Sequence, residues 1–146
     1  TRDEIARAKP WSEPSGSSSS YGGNALAAAA AETTLKIIQE EKLIENSRRM
    51  GEVLVHKLRA LAERHPVIGE VRGQGLFVGV ELVADRKTHE KLARPLCERI
   101  FHECLRRGLL TMAYDPVFRI QPAMIIDEPT IDEGIGILDE VLKLVH

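Results

Sequence analysis

The sequence predicts an α+β segment, with helices packed on one face of a small antiparallel or mixed sheet. Three observations lead there. Apolar residues recur at helical spacing over two long stretches, 43–64 and 131–145. Between them lie short runs rich in β-branched residues and punctuated by glycine, IGEVRGQG, LFVGVELV and VFRIQ. The elements follow the order helix, helix, strand pair, helix, strand pair, helix, with no internal repeat. That order suits one helical layer on one sheet.

Taken in order, Arg2 to Ala8 reads as a short helix that Pro10 stops. Trp11 to Ser20 is a polar loop containing Pro14 and Gly16. A run of serine hydroxyls then enters a tight turn at Gly22-Gly23, which opens into a long helix from about Asn24 to Glu41. The first half of this helix is almost all alanine, which permits close backbone approach. Leu35, Ile37 and Ile38 in the second half are expected to be buried. Backbone N–H groups at a helix start lack partners and carry the positive end of the dipole. Hydroxyls and glycines placed there can seat a phosphate or carboxylate. The plainer alternative is a capped helix end with no ligand, since Ser and Asn are common caps.

The next helix runs from about Leu43 to Arg64. Leu43, Met50, Leu54, Leu58 and Leu61 form one apolar stripe, read as core. His65-Pro66 ends it. Ile68 to Gly75 reads as a strand with a glycine turn, and Leu76 to Val83 as its neighbour. Asp85 to Ala93 is a charged loop. Pro95 suits the first turn of a helix reaching about Arg107, with Leu96, Ile100, Phe101, Cys104 and Leu105 as its buried face. Gly108 follows as the residue that closes a helix C-terminus. Leu109 to Met112 and Val117 to Gln121 read as strands, and Asp127 to Pro129 as a turn. Thr130 and Glu133 have the spacing of a capping box. A final helix sets Ile131, Ile135, Leu138, Leu142 and Val145 on one side.

Composition narrows the class. A chain of 146 residues can bury one ordinary core. Its net charge of −2 gives no broad basic field for nucleic acid. No apolar run reaches bilayer length, so no membrane partner is expected. The N-terminal TRDEIARAKPWSEP lacks the apolar core of a signal peptide. Cys97 and Cys104 fit a reducing compartment, and a cytoplasmic location is expected. A first residue of Thr suggests processing or truncation.

Candidate chemistry is sparse. Gly73 to Gly79 superficially resembles a dinucleotide fingerprint, but its third glycine falls one place late and it leads into a strand rather than a helix. Cys97, His102 and Cys104 share one helix without the paired spacing of a zinc site. In VFRIQ, alternation sets Val117, Arg119 and Gln121 on one face and Phe118 and Ile120 on the other. Arg119 calls for an anionic partner because its charge cannot be removed. That partner is either a structural carboxylate or a ligand gripped by the planar guanidinium. Arg72 raises the same question, and its place beside a glycine turn favours a structural role. No lysine reads as a desolvated nucleophile, and no Ser-His-Asp set, metal cluster or P-loop is present. By its own chemistry the chain has an anion seat and a carboxylate grip but no catalyst.

Three landmarks then carry a resemblance. SSSSYGGNALAAAAAETTLKIIQEE resembles the segment of class III aminotransferases written His/Ser-Ser-Thr-Tyr/Phe-Gly-Gly-Asn-Pro-Leu-Ala. HPVIGEVRGQGLFVGVELV resembles the family's passage into its small C-terminal domain. RRGLLTM and VFRIQPAMIIDEPTIDEGIGILDEVL resemble its last part, where an Arg and then a Pro precede the final helix. These are pyridoxal-phosphate enzymes of fold type I, a group that includes 4-aminobutyrate and ornithine aminotransferases.

The resemblance implies an α/β fold, of which this segment is the α+β end. Residues 1–64 would be the last helices of the large cofactor-binding domain and the interdomain helix, and 65–146 the small C-terminal domain. It implies pyridoxal 5′-phosphate as cofactor and a homodimer with a composite active site. The substrates would be a small-molecule amino donor, either an amino acid or an amine, and a 2-oxo acid. Ser20 takes the place of the family's Thr, whose hydroxyl reaches the cofactor phosphate held by the other subunit; Tyr21 and Gly22 supply the adjoining loop. Ala25 stands where the family has Pro, and Pro122-Ala123 where it has Pro-Pro. Arg119 matches the arginine that binds the substrate's α-carboxylate. The family's cofactor-bonding lysine lies upstream of this segment, so the chain is expected to be a C-terminal third, inactive by itself. A racemase, aminomutase or decarboxylase on the same scaffold is the alternative reaction. A non-catalytic α+β interaction domain is the alternative class.

Overall fold

The computed structural model describes residues 20–145. The expected helix Arg2–Ala8 and nearly all of the loop before Ser20 lie outside the described residues. Contacts divide the chain into two compact units, Thr1–Glu41 and Lys42–His146.

In the first unit, helix α1 spans Ala25–Glu40. Asn24 is its N-cap. The Asn24 Oδ1 accepts the Ala27 N–H at 2.9 Å, and its Nδ2 donates to the Tyr21 carbonyl at 2.7 Å. The preceding turn needs a positive backbone angle, met by Gly23 at φ 77°. Thr33 and Thr34 donate their hydroxyls back to the carbonyls of Ala29 and Ala30. The expected burial of Leu35, Ile37 and Ile38 is corrected. Leu35 and Ile37 are exposed, Ile38 is half-buried, and no α1 residue is buried. An apolar run marks a face that gains by burial, but it does not supply the layer that covers it.

The second unit begins with helix α2, Leu43–Arg64. Its predicted stripe is observed: Leu43, Met50, Leu54, Leu58 and Leu61 are all buried. His65 caps the end, and Arg86 donates to the carbonyls of Ala62, His65 and Ile68, which satisfies backbone groups that the helix leaves behind. Strands β1 (Ile68–Gln74) and β2 (Phe77–Asp85) form an antiparallel hairpin. Its turn carries Gly75 at φ 54°. The two-residue strand β3, Glu90–Lys91, pairs with the far end of β2 inside the stretch expected to be loop.

Helix α3 spans Arg94–Arg106, with Pro95 in its first turn as expected. Its buried residues are Cys97, Ile100 and Cys104. Leu105 is exposed and Phe101 half-buried, because the helix turns the 97–100–104 line inward rather than its neighbours. Leu109–Met112 is not a strand. The Leu109 N–H donates to the Cys104 carbonyl and so belongs to the helix ending. Strand β4, Val117–Ile120, adds to the free side of β2, so every pairing is antiparallel. Helix α4 spans Glu128–Leu142. Its cap is Asp127, which accepts from the N–H and the hydroxyl of Thr130. The cap lies three residues before the Thr130–Glu133 pair read from sequence.

Helices α2 and α4 pack together, as do α3 and α4, and α2 lies against β1 and β2. The core is Leu58, Leu61, Ile100 and Val141 from helices against Ile68, Val78, Val80, Leu82 and Phe118 from strands. Helix α2 and the hairpin touch at backbone level, at Gly51 and Gly75. Among the described residues no helix is long and apolar enough to cross a membrane.

Candidate functional site

The turn before α1 is the first candidate. Ser20, Tyr21 and Gly22 are all exposed. The Asn24 carboxamide takes the Ala27 N–H, so the first turn retains the N–H groups of Ala25 and Leu26 without an acceptor inside the helix. A Cβ built at Gly23 would meet nothing within 4 Å, which leaves the turn open on its outer side. One hydroxyl and two helix-start amides are donors suited to a phosphate oxygen. Among the described residues they are a partial set. A phosphate held here would need further donors from elsewhere.

The second candidate is the outer face of the sheet. Phe118 and Arg119 take opposite faces, as alternation indicated, and the structure puts Phe118 in the core and Arg119 outside. The register then adds what periodicity could not. Gly79 lies opposite Arg72 on one side and opposite Arg119 on the other. Two arginines therefore flank a residue with no side chain. In the next row Glu81 lies opposite Glu70 and opposite Val117. The Arg72 Nη1 donates to Glu81 Oε1 at 2.6 Å and to Glu70 Oε2 at 2.8 Å. Those carboxylates, Glu81 first, raise the pKa of the Arg72 guanidinium. The structural role read for Arg72 is thus filled. Arg119 has no hydrogen bond or ion pair among the described residues.

Beside β4 a cleft of about 300 Å³ is lined by Arg119, Pro122, Ile126, Thr130 and Ile135 among others. Its wall is mainly apolar, which suits an organic ligand with one charged end. The loop after β4 is held by Asn46 near the start of α2, whose Nδ2 donates to the carbonyls of Met124 at 2.8 Å and Ile126 at 3.0 Å. Asn46 and Glu81 were not singled out from sequence, and Gly79 was read only as the late third glycine of a failed dinucleotide fingerprint. The alternation of LFVGVELV could place Gly79 and Glu81 on one face, but their neighbours follow from register alone.

Other chemistry stays quiet. Burial pushes the Cys104 thiol up to about 11 and raises that of Cys97, which disfavours thiolate at neutral pH. Among the described residues no cluster of three or more His, Cys, Asp or Glu could hold a metal. Lys57 bonds Asp132 at 2.6 Å and Glu128 at 3.1 Å, and both raise its pKa, opposite to what a lysine nucleophile requires.

Comparison with known proteins supplies the wider frame. The profile of the aminotransferase class-III family matches residues 1–142. The taurine–pyruvate aminotransferase of Rhodobacter capsulatus is 43% identical over 86% of this chain and 29% of its own length. The ethanolamine-phosphate phospho-lyase homolog 1 of Caenorhabditis elegans is 38% identical over 100% of this chain and 32% of its own. An amine transaminase from an uncultivated Pseudomonas species, crystallised in a PLP-bound form, superposes with a TM-score of 0.83 at 29% identity, covering 89% of this chain and 30% of that one. The chain spans about a third or less of the length of the proteins it matches. Its three sequence landmarks, its antiparallel sheet under helices and these matches agree, and the chain belongs to the class-III aminotransferase family.

Proposed function

We propose that this chain is the C-terminal portion of a pyridoxal-phosphate-dependent aminotransferase that moves an amino group from an amino acid or amine to a 2-oxo acid. When bound, pyridoxal phosphate supplies the electron sink for this chemistry. Residues 1–64 would close the large domain and 65–146 would form the small one. The lysine that bonds the cofactor is assigned to none of the described lysines; the raised pKa of Lys57 supports that. On this reading the polypeptide alone would not develop the cofactor's absorbance band.

The observation that carries the proposal is Arg119, an exposed arginine on the outer face of the sheet with no hydrogen bond or ion pair among the described residues, which also borders a mainly apolar cleft. Its role is to grip and orient the substrate carboxylate. Arg119→Ala in the full-length enzyme should raise KM for a carboxylate substrate about ten- to hundredfold, the range of one charge-assisted hydrogen bond. An unchanged KM would sink the assignment. Ser20 would donate its hydroxyl to the phosphate of a cofactor held mainly by a partner subunit, with Tyr21 and Gly22 shaping the loop. The partial donor set at the turn supports a composite site in a homodimer. The exposed apolar residues of α1, Leu26 at 82% and Leu35 at 62%, supply a surface that favours association. Two buried cysteines, neither in a disulfide, support a cytoplasmic enzyme.

A second reading keeps the cofactor and changes the reaction. The relative named as a phospho-lyase homolog aligns with the whole chain at 38% identity. Product analysis of the full-length enzyme, with an amino donor and pyruvate or with a phosphorylated amine, separates transfer from elimination.

A further inference from the structure

We propose that Arg72 is a positioning residue that keeps Arg119 open to its ligand by holding Glu81 away from it. The inference rests on the reading of Arg119 as the carboxylate grip. Its basis is the symmetry of the register about β2. Arg72 and Arg119 are both opposite Gly79, on the two strands that flank β2. Glu81, two residues on along β2, is therefore the diagonal neighbour of both arginines, and diagonal neighbours are within reach of long side chains. The Arg72–Glu81 bond of 2.6 Å shows that such a diagonal is bridged on one side. Gly79 puts no side chain between Glu81 and either arginine; a Cβ there would already touch Arg72 Cγ at 3.8 Å.

What breaks the symmetry is the adjoining row. On the Arg72 side Glu81 is opposite Glu70, and two carboxylates facing each other repel unless a cation joins them. Arg72 joins them, with one nitrogen bonded to both. On the Arg119 side Glu81 is opposite Val117, which offers no charge. Glu81 is thus drawn to Arg72, and Arg119 stays unpaired among the described residues. Without Arg72, Glu81 would be repelled by Glu70 and would turn to Arg119. An incoming carboxylate would then have to displace it.

The test uses the full-length holoenzyme with an amino donor that carries a carboxylate and one that does not. Arg72→Ala should raise KM for the carboxylate donor about fivefold, the scale of an exposed ion pair that must open before binding. It should leave kcat far less affected and KM for the carboxyl-free amine unmoved. Adding Glu81→Gln to Arg72→Ala should restore KM, which a loss of folding would not allow. In an Arg119→Ala background Arg72→Ala should change nothing. A raised KM for Arg119→Ala with Arg72→Ala silent, or not relieved by Glu81→Gln, overturns the role of Arg72 alone. A wild-type KM for Arg119→Ala overturns the grip itself, and this role with it.

Discussion

At the scale of single residues, Gly51 shows how little freedom the core leaves. A Cβ there would lie 2.2 Å from the carbonyl carbon and oxygen of Gly75, both backbone atoms that cannot rotate aside. Alanine gains roughly 1 kcal/mol over glycine inside a helix, whereas overpacking against backbone costs up to about 3 kcal/mol. Gly51→Ala should therefore lose about 2 kcal/mol net, read from the urea midpoint. A stabilised variant would show that helix and turn can part. Asp139 makes a different prediction. Its carboxyl is held well below the usual value of 3.8, first by its hydrogen bond with His65, 2.6 Å away, then by Lys143 and Arg64, against an opposing effect of desolvation. A group that titrates lower when folded adds stability above its unfolded pKa and loses it as pH falls toward the folded one. Melting temperature should drop progressively below about pH 4, and Asp139→Asn should flatten that limb while lowering stability at neutral pH. That Arg119 and Phe118 take opposite faces was legible at this scale from alternation alone. That Arg119 has no partner among the described residues was not, because that depends on which residues the neighbouring strands bring alongside.

At the scale of elements, periodicity carried most of the information. The stripe of α2 is buried as read, and on α4 Ile131, Leu138 and Leu142 are buried as read, joined by Val141, while Ile135 is half-buried and Val145 lies beyond the helix. Short apolar runs were ambiguous. Leu109–Met112 has strand composition, but its first N–H completes the ending of α3, and the segment pairs with no strand among the described residues. The start of α4 was displaced for a related reason. Two cap-like residues, Asp127 and Thr130, stand three apart, and either can begin a helix. The structure uses both, with Thr130 donating to Asp127. Asp127→Ala should accordingly cost about 1 kcal/mol, while Glu133→Ala should cost almost nothing, in thermal unfolding. Equal effects would restore the cap to Thr130.

At the scale of the whole molecule, the fold class was readable because helical and strand periods change cleanly along the chain. The coverage of α1 was not, since apolar composition indicates a face without naming its counterpart. The Ser20 turn belongs to this scale, because its donors are too few to close a site. Ser20→Ala in the intact enzyme should weaken cofactor retention about tenfold or more, the loss of one hydrogen bond to a charged group, with little change in melting temperature of the apo form. Equal retention by both proteins would remove Ser20 from the site. Asn46 joins the first turn of α2 to carbonyls 78 and 80 residues later, in the loop that follows Arg119. Loss of that amide nitrogen would leave a carboxylate facing two carbonyl oxygens, with no hydrogen to offer either. One acid in place of that amide would thus loosen the loop that follows Arg119.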